Sequence, residues 1–208
     1  MKPVSHHSTY IVTALLLAVG FSLPAPHFAA ADELSVPGAP RDDTGSPDDT
    51  GSRVDDLLAQ LLTADANEAP RIESEIAAEW SKSGSPAMDL LLQRGQDAIE
   101  FGDALRAVEH YTAAIDYAPD FAEAYTGRAT AYYLTDEIGP ALADLQTALT
   151  LNPRHFGAMK GFAIILEELG RPADALEVYR QVLAIHPQDA DVAGAVDRLV
   201  RTLEGQTL

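Results

Sequence analysis

The sequence predicts an all-α fold, a right-handed α-solenoid built from antiparallel helix pairs, and three observations lead to that prediction. Apolar residues recur at steps of three and four through residues 53–204, which is the period of amphipathic helices. Pro119, Pro153 and Pro187 are spaced 34 residues apart, each closing an apolar stretch. Such a fixed period is typical of stacked helical units that bury one continuous core.

The first 31 residues have the layout of a secretory signal peptide. They contain no acidic residue and one basic residue, Lys2, followed by an apolar run over residues 10–23. Ala29 and Ala31 place small residues three and one positions before a cleavage point. The run is shorter than the ~20 residues that a spanning helix needs. We expect cleavage after Ala31 and export to the periplasm or the cell exterior; the alternative is retention as an anchor.

The expected mature chain is strongly acidic. Removal of residues 1–31 leaves 177 residues with 13 basic and 32 acidic side chains, a net charge of −19. With no basic stripe, this charge argues against binding to nucleic acid or anionic lipid headgroups. Cysteine is absent, so no disulfide framework stabilises the fold and no thiol carries a lipid. The sequence therefore predicts no stable membrane anchor after cleavage.

Residues 32–52 are predicted to be a disordered acidic linker. Pro, Gly, Ser and Asp dominate, and the unit Asp-Asp-Thr-Gly-Ser occurs twice. Such a segment buries too little apolar surface to offset the entropy lost on ordering. The alternative is a weak calcium site formed by its aspartates, but their spacing is not that of an EF-hand loop.

Residues 53–87 are predicted to form a helical hairpin. Two apolar stripes flank a break at residues 63–67, and Gly84 and Pro86 end the second helix. The stripes consist of Val54, Leu57, Leu58, Leu61 and Leu62, and then of Ile72, Ile76 and Trp80. We expect this hairpin to be a diverged repeat that caps the N-terminal end of the array.

Alignment on the three prolines divides the next stretch into units 88–121, 122–155 and 156–189. Small residues recur where the two helices of a unit would cross, with a larger residue beyond them. The small residues are Gly95, Ala129 and Ala163 in the first helices and Ala107, Ala141 and Ala175 in the second; the larger ones are Tyr111, Leu145 and Tyr179. This 34-residue pattern resembles the tetratricopeptide repeat (TPR) family.

Local signals predict where these helices begin and end. Gly102 and Gly170 suit left-handed caps between the two helices of a repeat, and Pro172 suits a first helical turn. The second repeat has its glycine late, at Gly139, so we expect its second helix to begin half a turn late. Asp120 and Glu123 resemble a capping box at the start of the second repeat.

Residues 190–208 are predicted to be a C-terminal capping helix. Their apolar rhythm opposes a charged face, and a terminal amphipathic helix covers the apolar surface that the last repeat would expose. The apolar positions are Val192, Val196, Leu199 and Leu203.

The residues that could support catalysis do not form a recognisable constellation. His110, His155 and His186 fall at different repeat offsets, without the i, i+4 pairing of a zinc helix. There is no Gly-x-Ser-x-Gly elbow and no Gly-x-x-x-x-Gly-Lys loop. The sequence predicts neither an enzyme nor a cofactor or metal site.

The family resemblance implies a partner-binding groove lined by the first helices of the repeats. Its positions would be Leu92, Gln96, Ile99, Thr126, Thr130, Tyr133, Lys160, Ile164 and Glu167. Some family members grip a C-terminal carboxylate with cations at these offsets; here Lys160 alone is cationic, which does not support such a clamp. An apolar centre with an acidic rim favours an amphipathic helix or extended peptide carrying positive charge. Alternatively, residues 53–87 fill the groove.

We therefore expect a non-catalytic scaffold of the cell envelope that binds one or more unidentified proteins. Two alternatives remain. One is a structural homo-oligomer joined through terminal helices such as residues 190–204, and the other is an accessory subunit of an envelope enzyme.

Overall fold

The computed structural model describes residues 47–205, with side chains from residue 51. Nine helices follow one another in that range, without a strand between them. They are α1 (Pro47–Thr63), α2 (Ala69–Trp80), α3 (Pro86–Glu100), α4 (Ala104–Tyr117), α5 (Ala122–Leu134), α6 (Ile138–Leu151), α7 (Phe156–Glu168), α8 (Pro172–Ile185) and α9 (Ala190–Gly205). The predicted signal peptide and most of the predicted linker lie outside the described residues.

Helices α3 to α8 form the three predicted pairs. Each repeat packs its two helices together, and α4 against α5 and α6 against α7 join neighbouring repeats. The first helices also touch directly, α3 with α5 and α5 with α7, so that α3, α5 and α7 line up in a row. This arrangement confirms the all-α solenoid.

Tyr111 shows why small residues are needed between these helices. Its ring lies between α3 and α5, where Gly95 and Gly127 leave room for it. A Cβ at either glycine would fall 2.5 Å from Tyr111 Cε1, a distance that no relaxed structure tolerates. The sequence pattern identified Gly95, whereas the equally constrained Gly127 was missed.

The turn inside the second repeat corrects a prediction. Helix α6 begins at Ile138, the same repeat offset at which α4 and α8 begin, so the expected half-turn delay is wrong. Gly102 and Gly170 adopt left-handed conformations with φ of 78° and 71°, and Asp136 takes the equivalent position with φ of 63°. Aspartate tolerates this region better than most residues, so the turn closes without glycine.

The helix starts differ from the predicted capping box. Phe121 is the N-cap of α5 and provides no side-chain hydrogen bond. At the same offset one and two repeats later, His155 Nδ1 accepts from the Ala158 N–H at 3.2 Å and Asp189 Oδ1 accepts from the Val192 N–H at 3.0 Å. The chain therefore caps α7 and α9 with side chains but not α5.

Helices α1 and α2 pack against the third repeat. Helix α1 contacts α8, and the apolar side chains of both helices join one core with those of α7, α8 and α9. Trp80 stacks on His155 and Phe156 with ring centroids 4.5 and 5.2 Å apart. The expectation that this hairpin caps the first repeat is therefore wrong. Helix α1 also begins at Pro47, inside the predicted linker.

The first repeat consequently keeps an open end. We count offsets from the first residue of each repeat, which is residue 88, 122 or 156. At offsets 3 and 10 the second and third repeats bury small or apolar side chains against the preceding repeat, namely Ala124, Ala131, Ala158 and Ile165. The same offsets of the first repeat hold Leu90, which is 46% exposed, and Asp97, which is exposed. At the other end α9 packs on α8 and buries Val192 and Leu199.

Candidate partner-binding groove

A cavity opens on the face formed by the row of first helices. It lies between α5 and α7, above α6, and has a volume of about 190 Å³. Its wall is mostly apolar, and the lining residues come from these three helices: Thr126, Ala129, Thr130, Tyr133, Leu145, Gly157, Gly161, Ile164 and Ile165. The hairpin of α1 and α2 contributes none of them, so it does not fill this cavity.

Two glycines of α7 leave the cavity open. A Cβ on Gly161 would lie 3.5 Å from Leu145 Cδ2, an ordinary van der Waals contact, and one on Gly157 would lie 3.4 Å from His155. Packing therefore does not demand glycine at position 161, unlike Gly127 in α5. Glycine inside a helix is about 1 kcal/mol less favourable than alanine, so the open space has a cost in stability.

Tyr133 and Ile164 form the mouth of the cavity. They are 36% and 42% exposed, from facing helices. Tyr133 Oη donates a hydrogen bond to Glu168 Oε1 at 2.5 Å. This hydrogen bond, together with the nearby carboxylate charge, raises the pKa of Tyr133 above its ordinary value. The mouth thus combines apolar contact area with a carboxylate at its end.

The nine residues predicted for the groove separate into groups. Four of them line the cavity: Thr126, Thr130, Tyr133 and Ile164. Leu92 is 2% exposed and belongs to the core, which corrects its assignment to the groove. Gln96 is exposed and Ile99 is half-buried on α3, away from the cavity. Lys160 and Glu167 are engaged in contacts within the chain.

Lys160 is held by the helix that follows its repeat. Its Nζ donates to Asp189 Oδ2 at 2.7 Å; the Asp189 side chain is buried and the Lys160 side chain is half-buried. Burial raises the pKa of Asp189, but the hydrogen bonds from Lys160 and from the Val192 backbone outweigh it and leave the pKa below its usual value. The one cation at the predicted groove positions is therefore committed to the fold.

Glu167 is likewise committed, to α8 and α9. Arg198 donates to both carboxylate oxygens at 2.6 and 3.1 Å, and Tyr179 Oη donates at 3.0 Å. The Arg198 hydrogen bonds are the main cause that lowers the pKa of Glu167. This carboxylate anchors the C-terminal helix instead of facing a partner.

His155 connects the groove to the hairpin. Because its Nδ1 accepts the Ala158 N–H, its Nε2 carries the proton and donates to Glu123 Oε2 at 2.7 Å. The ring is 4% exposed and stacks on Trp80. A residue that caps one helix, binds another and packs on a third has a structural role.

Within residues 51–205, no cluster of three His, Asp or Glu side chains has the arrangement of a metal site. The structure places His155 and His186 at successive inter-repeat turns, both buried. His186 packs edge-on against Phe156, with centroids 5.7 Å apart. None of the helices in the described part of the chain is long and apolar enough to cross a bilayer.

Five residues that line the cavity lie outside the nine predicted groove positions: Ala129, Leu145, Gly157, Gly161 and Ile165. Ala129 and Leu145 were assigned to the crossing of the two helices, and they also form the cavity floor. Gly161 carried a usable signal, since it is a glycine in a helix interior at an offset where Gln93 stands in the first repeat.

These features define the class of the protein, a helical-repeat interaction fold. Models of the tetratricopeptide repeat match residues 92–139 and 138–199. The chain is 33% identical over 198 residues to a TPR repeat-containing protein of Rhizobium etli, covering 94% of this chain and 96% of that protein. The chain belongs to the tetratricopeptide repeat family.

Other relatives and solved structures share the repeats. The small glutamine-rich tetratricopeptide repeat-containing protein 2 of Saccharomyces cerevisiae is 30% identical over 61% of this chain and 36% of its own length. The TPR2B domain of yeast Sti1, in a complex with an Hsp70 peptide, superposes with a TM-score of 0.50 at 26% identity, over 59% of this chain and 99% of the domain. The Sgt2 TPR domain of Aspergillus fumigatus superposes with a TM-score of 0.55 at 20% identity, over 59% and 83%. The fold is that of a protein–protein interaction module.

Proposed function

We propose that this protein is a non-catalytic scaffold of the cell envelope that anchors a partner segment in the cavity between α5 and α7. The partner is an amphipathic helix or an extended peptide. One of its large apolar side chains enters between Tyr133 and Ile164 and rests on Leu145. The observation that carries this proposal is an open apolar cavity, maintained by Gly161 where packing would accept a larger residue.

The negative charge of this chain favours a partner segment that is basic as well as apolar. The chain has a net charge of −18, and Glu168 stands at the mouth of the cavity with its carboxylate bound to Tyr133. Lysine or arginine next to the apolar anchor of the partner would be attracted to this rim, and such complementarity speeds association and rejects acidic competitors.

The acidic peptides of structural neighbours are not the model for this partner. The yeast Sti1 domain was solved with an Hsp70 peptide, and the first TPR of Spaghetti, 22% identical with a TM-score of 0.55, with the HSP90 peptide SRMEEVD. Binding an acidic peptide requires free cations. Here Lys160 is bound to Asp189, so we propose a basic segment instead.

Selection from a random peptide library on the purified protein tests the proposal. We expect enriched peptides that combine a large apolar residue with Lys or Arg. Their affinity should fall at least tenfold for Gly161→Leu, which fills the cavity, and for Ile164→Ser, which removes exposed apolar surface. Gly194→Ala is the matched control, because a Cβ there meets nothing within 4 Å. Enriched peptides that bind both variants as tightly as the wild type would contradict the proposal.

The envelope location rests on the sequence of residues 1–31. N-terminal sequencing of the protein recovered from envelope fractions should give a chain that starts at Asp32. Recovery of an uncleaved chain from the cytoplasm would contradict export and leave the groove assignment intact.

A homo-oligomer formed through residues 190–204 has less support. The apolar side of α9 is buried, with Val192 and Leu199 at 2% and 3% exposure, so pairing would have to use the charged outer side. Sedimentation analysis distinguishes the two assignments, since the scaffold is expected to remain monomeric at all concentrations.

A further inference from the structure

A second surface lies along the edge where the two helices of each repeat meet. We call it the turn edge and define it as residues 100–106, 134–139 and 168–174. Because α3, α5 and α7 pack side by side, their C-terminal ends and the turns that follow stand in a row. Packed helices are 8–10 Å apart, so the three turns span roughly 20 Å.

The turn edge carries four large apolar side chains in solvent. Phe101 is 88% exposed, Leu105 72%, Leu134 57% and Leu169 50%. Phe101 and Leu169 occupy the same position in their repeats, directly after the first helix. Large apolar side chains aligned along one edge are typical of an interaction site, whereas scattered ones are ordinary.

The same edge is acidic. It contains six acidic residues, which are Glu100, Asp103, Asp136, Glu137, Glu168 and Asp174, and two arginines. Both arginines are already paired, Arg106 with Asp103 at 3.1 Å and Arg171 with Asp174 at 2.7 Å. In the described part of the chain no Lys or Arg pairs with Glu100, Asp136 or Glu137. These three carboxylates therefore lack cationic partners.

The chemistry of this edge disfavours several occupants. The α1–α2 hairpin packs against α8 and the turn before α7. Residues 1–46 contain four acidic and two basic residues, so their charge does not complement the edge. A second copy of this acidic chain would be repelled, and anionic lipid headgroups would be repelled in the same way.

We propose that the turn edge is a second docking surface, for a cationic amphipathic helix of another protein. The apolar side of that helix covers Phe101, Leu105, Leu134 and Leu169, and its Lys or Arg residues reach the unpaired carboxylates. A helix rises 1.5 Å per residue, so about 14 residues cover the three turns. None of these four apolar side chains lines the cavity between α5 and α7, although Glu168 borders both surfaces.

A designed 18-residue helix of Leu and Lys, with its leucines on one side, is the probe for titration against the full chain. A peptide with Glu in place of Lys is its counterpart. We expect the Leu–Lys peptide to bind the wild type and the Leu–Glu peptide not to bind. Phe101→Ser with Leu105→Ser should weaken binding at least tenfold, and Leu134→Ser with Leu169→Ser similarly. All four positions are exposed, so these variants should fold, which circular dichroism checks.

Tyr117→Ser is the matched control, since Tyr117 is 79% exposed but lies at the other end of α4. It should leave binding unchanged. The same titrations repeated in the Gly161→Leu background, in which the cavity between α5 and α7 is filled, measure binding at the turn edge alone. Equal affinity of wild type and the edge variants would overturn the proposal. So would a dimer that Phe101→Ser dissociates in sedimentation experiments, or edge-dependent binding to anionic vesicles, because each assigns the edge a different occupant.

Discussion

The two edges of the repeat array differ in what the chain buries there. At the inter-repeat turns, residues 152–155 and 186–189, polar side chains are buried, and Trp80 covers the first of these turns. At the turn edge, by contrast, Phe101 and Leu105 stay in solvent. Both edges come from the same 34-residue unit. His155 and His186 are each 4% exposed, and Gln188 Nε2 donates to the carbonyl of Ala64 in the hairpin. The chain itself covers one edge, and the other edge keeps large apolar side chains in solvent.

The difference shows that equivalent positions of successive repeats can take different structural roles while the 34-residue unit is kept. Phe121 precedes α5, His155 precedes α7 and Asp189 precedes α9, all at the same position of the 34-residue period. Phe121 is buried and apolar, His155 hydrogen-bonds to Glu123, and Asp189 binds Lys160. One position thus changes from apolar packing to hydrogen bonding and then to an ion pair, as the hairpin and α9 cover the last repeat.

Among the variants that test the difference between the two edges, Trp80→Ala should lower the free energy of unfolding the most. It removes the ring that stacks on His155 and Phe156, and truncating a packed tryptophan costs about 3 kcal/mol of unfolding free energy. Urea unfolding followed by circular dichroism measures the loss. Tyr117→Ala, which removes an exposed ring, should cost less than about 0.5 kcal/mol; similar losses for both would mean that the hairpin does not stabilise the array.

Asp189→Ala should have the second largest effect, lowering the free energy of unfolding by about 1–2 kcal/mol, because it removes the N-cap of α9 and the partner of Lys160. Asp120→Ala is the control, since the first repeat has Phe121 at the capping position. Equal effects in the two variants would contradict the capping roles assigned here.

The contribution of the Asp189 carboxylate to stability should also appear in the pH dependence of unfolding. Because the folded state lowers the pKa of Asp189 below its ordinary value of 3.8, its contribution is complete above that value and is lost as the pH falls through the folded pKa. Urea midpoints measured from pH 6 to pH 3 should decline less steeply for Asp189→Asn than for the wild type. Parallel curves would show that the ion pair with Lys160 does not form.

Asp136→Gly should give the smallest change, an increase of about 0.5–1 kcal/mol in the free energy of unfolding. Glycine removes the strain of a left-handed residue but also loses more backbone entropy on folding. Gly170→Ala, at the matching turn with φ of 71°, should instead destabilise by about 1 kcal/mol. Thermal unfolding compares the two, and a loss of stability for Asp136→Gly would mean that its side chain supports the turn.

The repeats themselves could be predicted from sequence because their signals are local and occur three times. Gly102, Gly170 and the crossing alanines each depend on contacts within one or two repeats. The docking of the hairpin could not be predicted, since it joins Trp80 to His155, 75 positions away in the chain, and no local pattern encodes such a contact. About half of the cavity lining could be predicted, since the groove positions of the family include Tyr133 and Ile164. The role of Gly161 could not, because only the contacts around each glycine distinguish it from Gly127.

Amide hydrogen exchange of the full chain, read by mass spectrometry, tests most directly whether one edge is closed by the hairpin. Amides of α1 and α2 should exchange as slowly as those of α8, because the three helices share one core, while the turns at residues 101–103 and 135–137 should exchange quickly. Exchange of α1 and α2 within seconds, as in an undocked hairpin, would contradict the account.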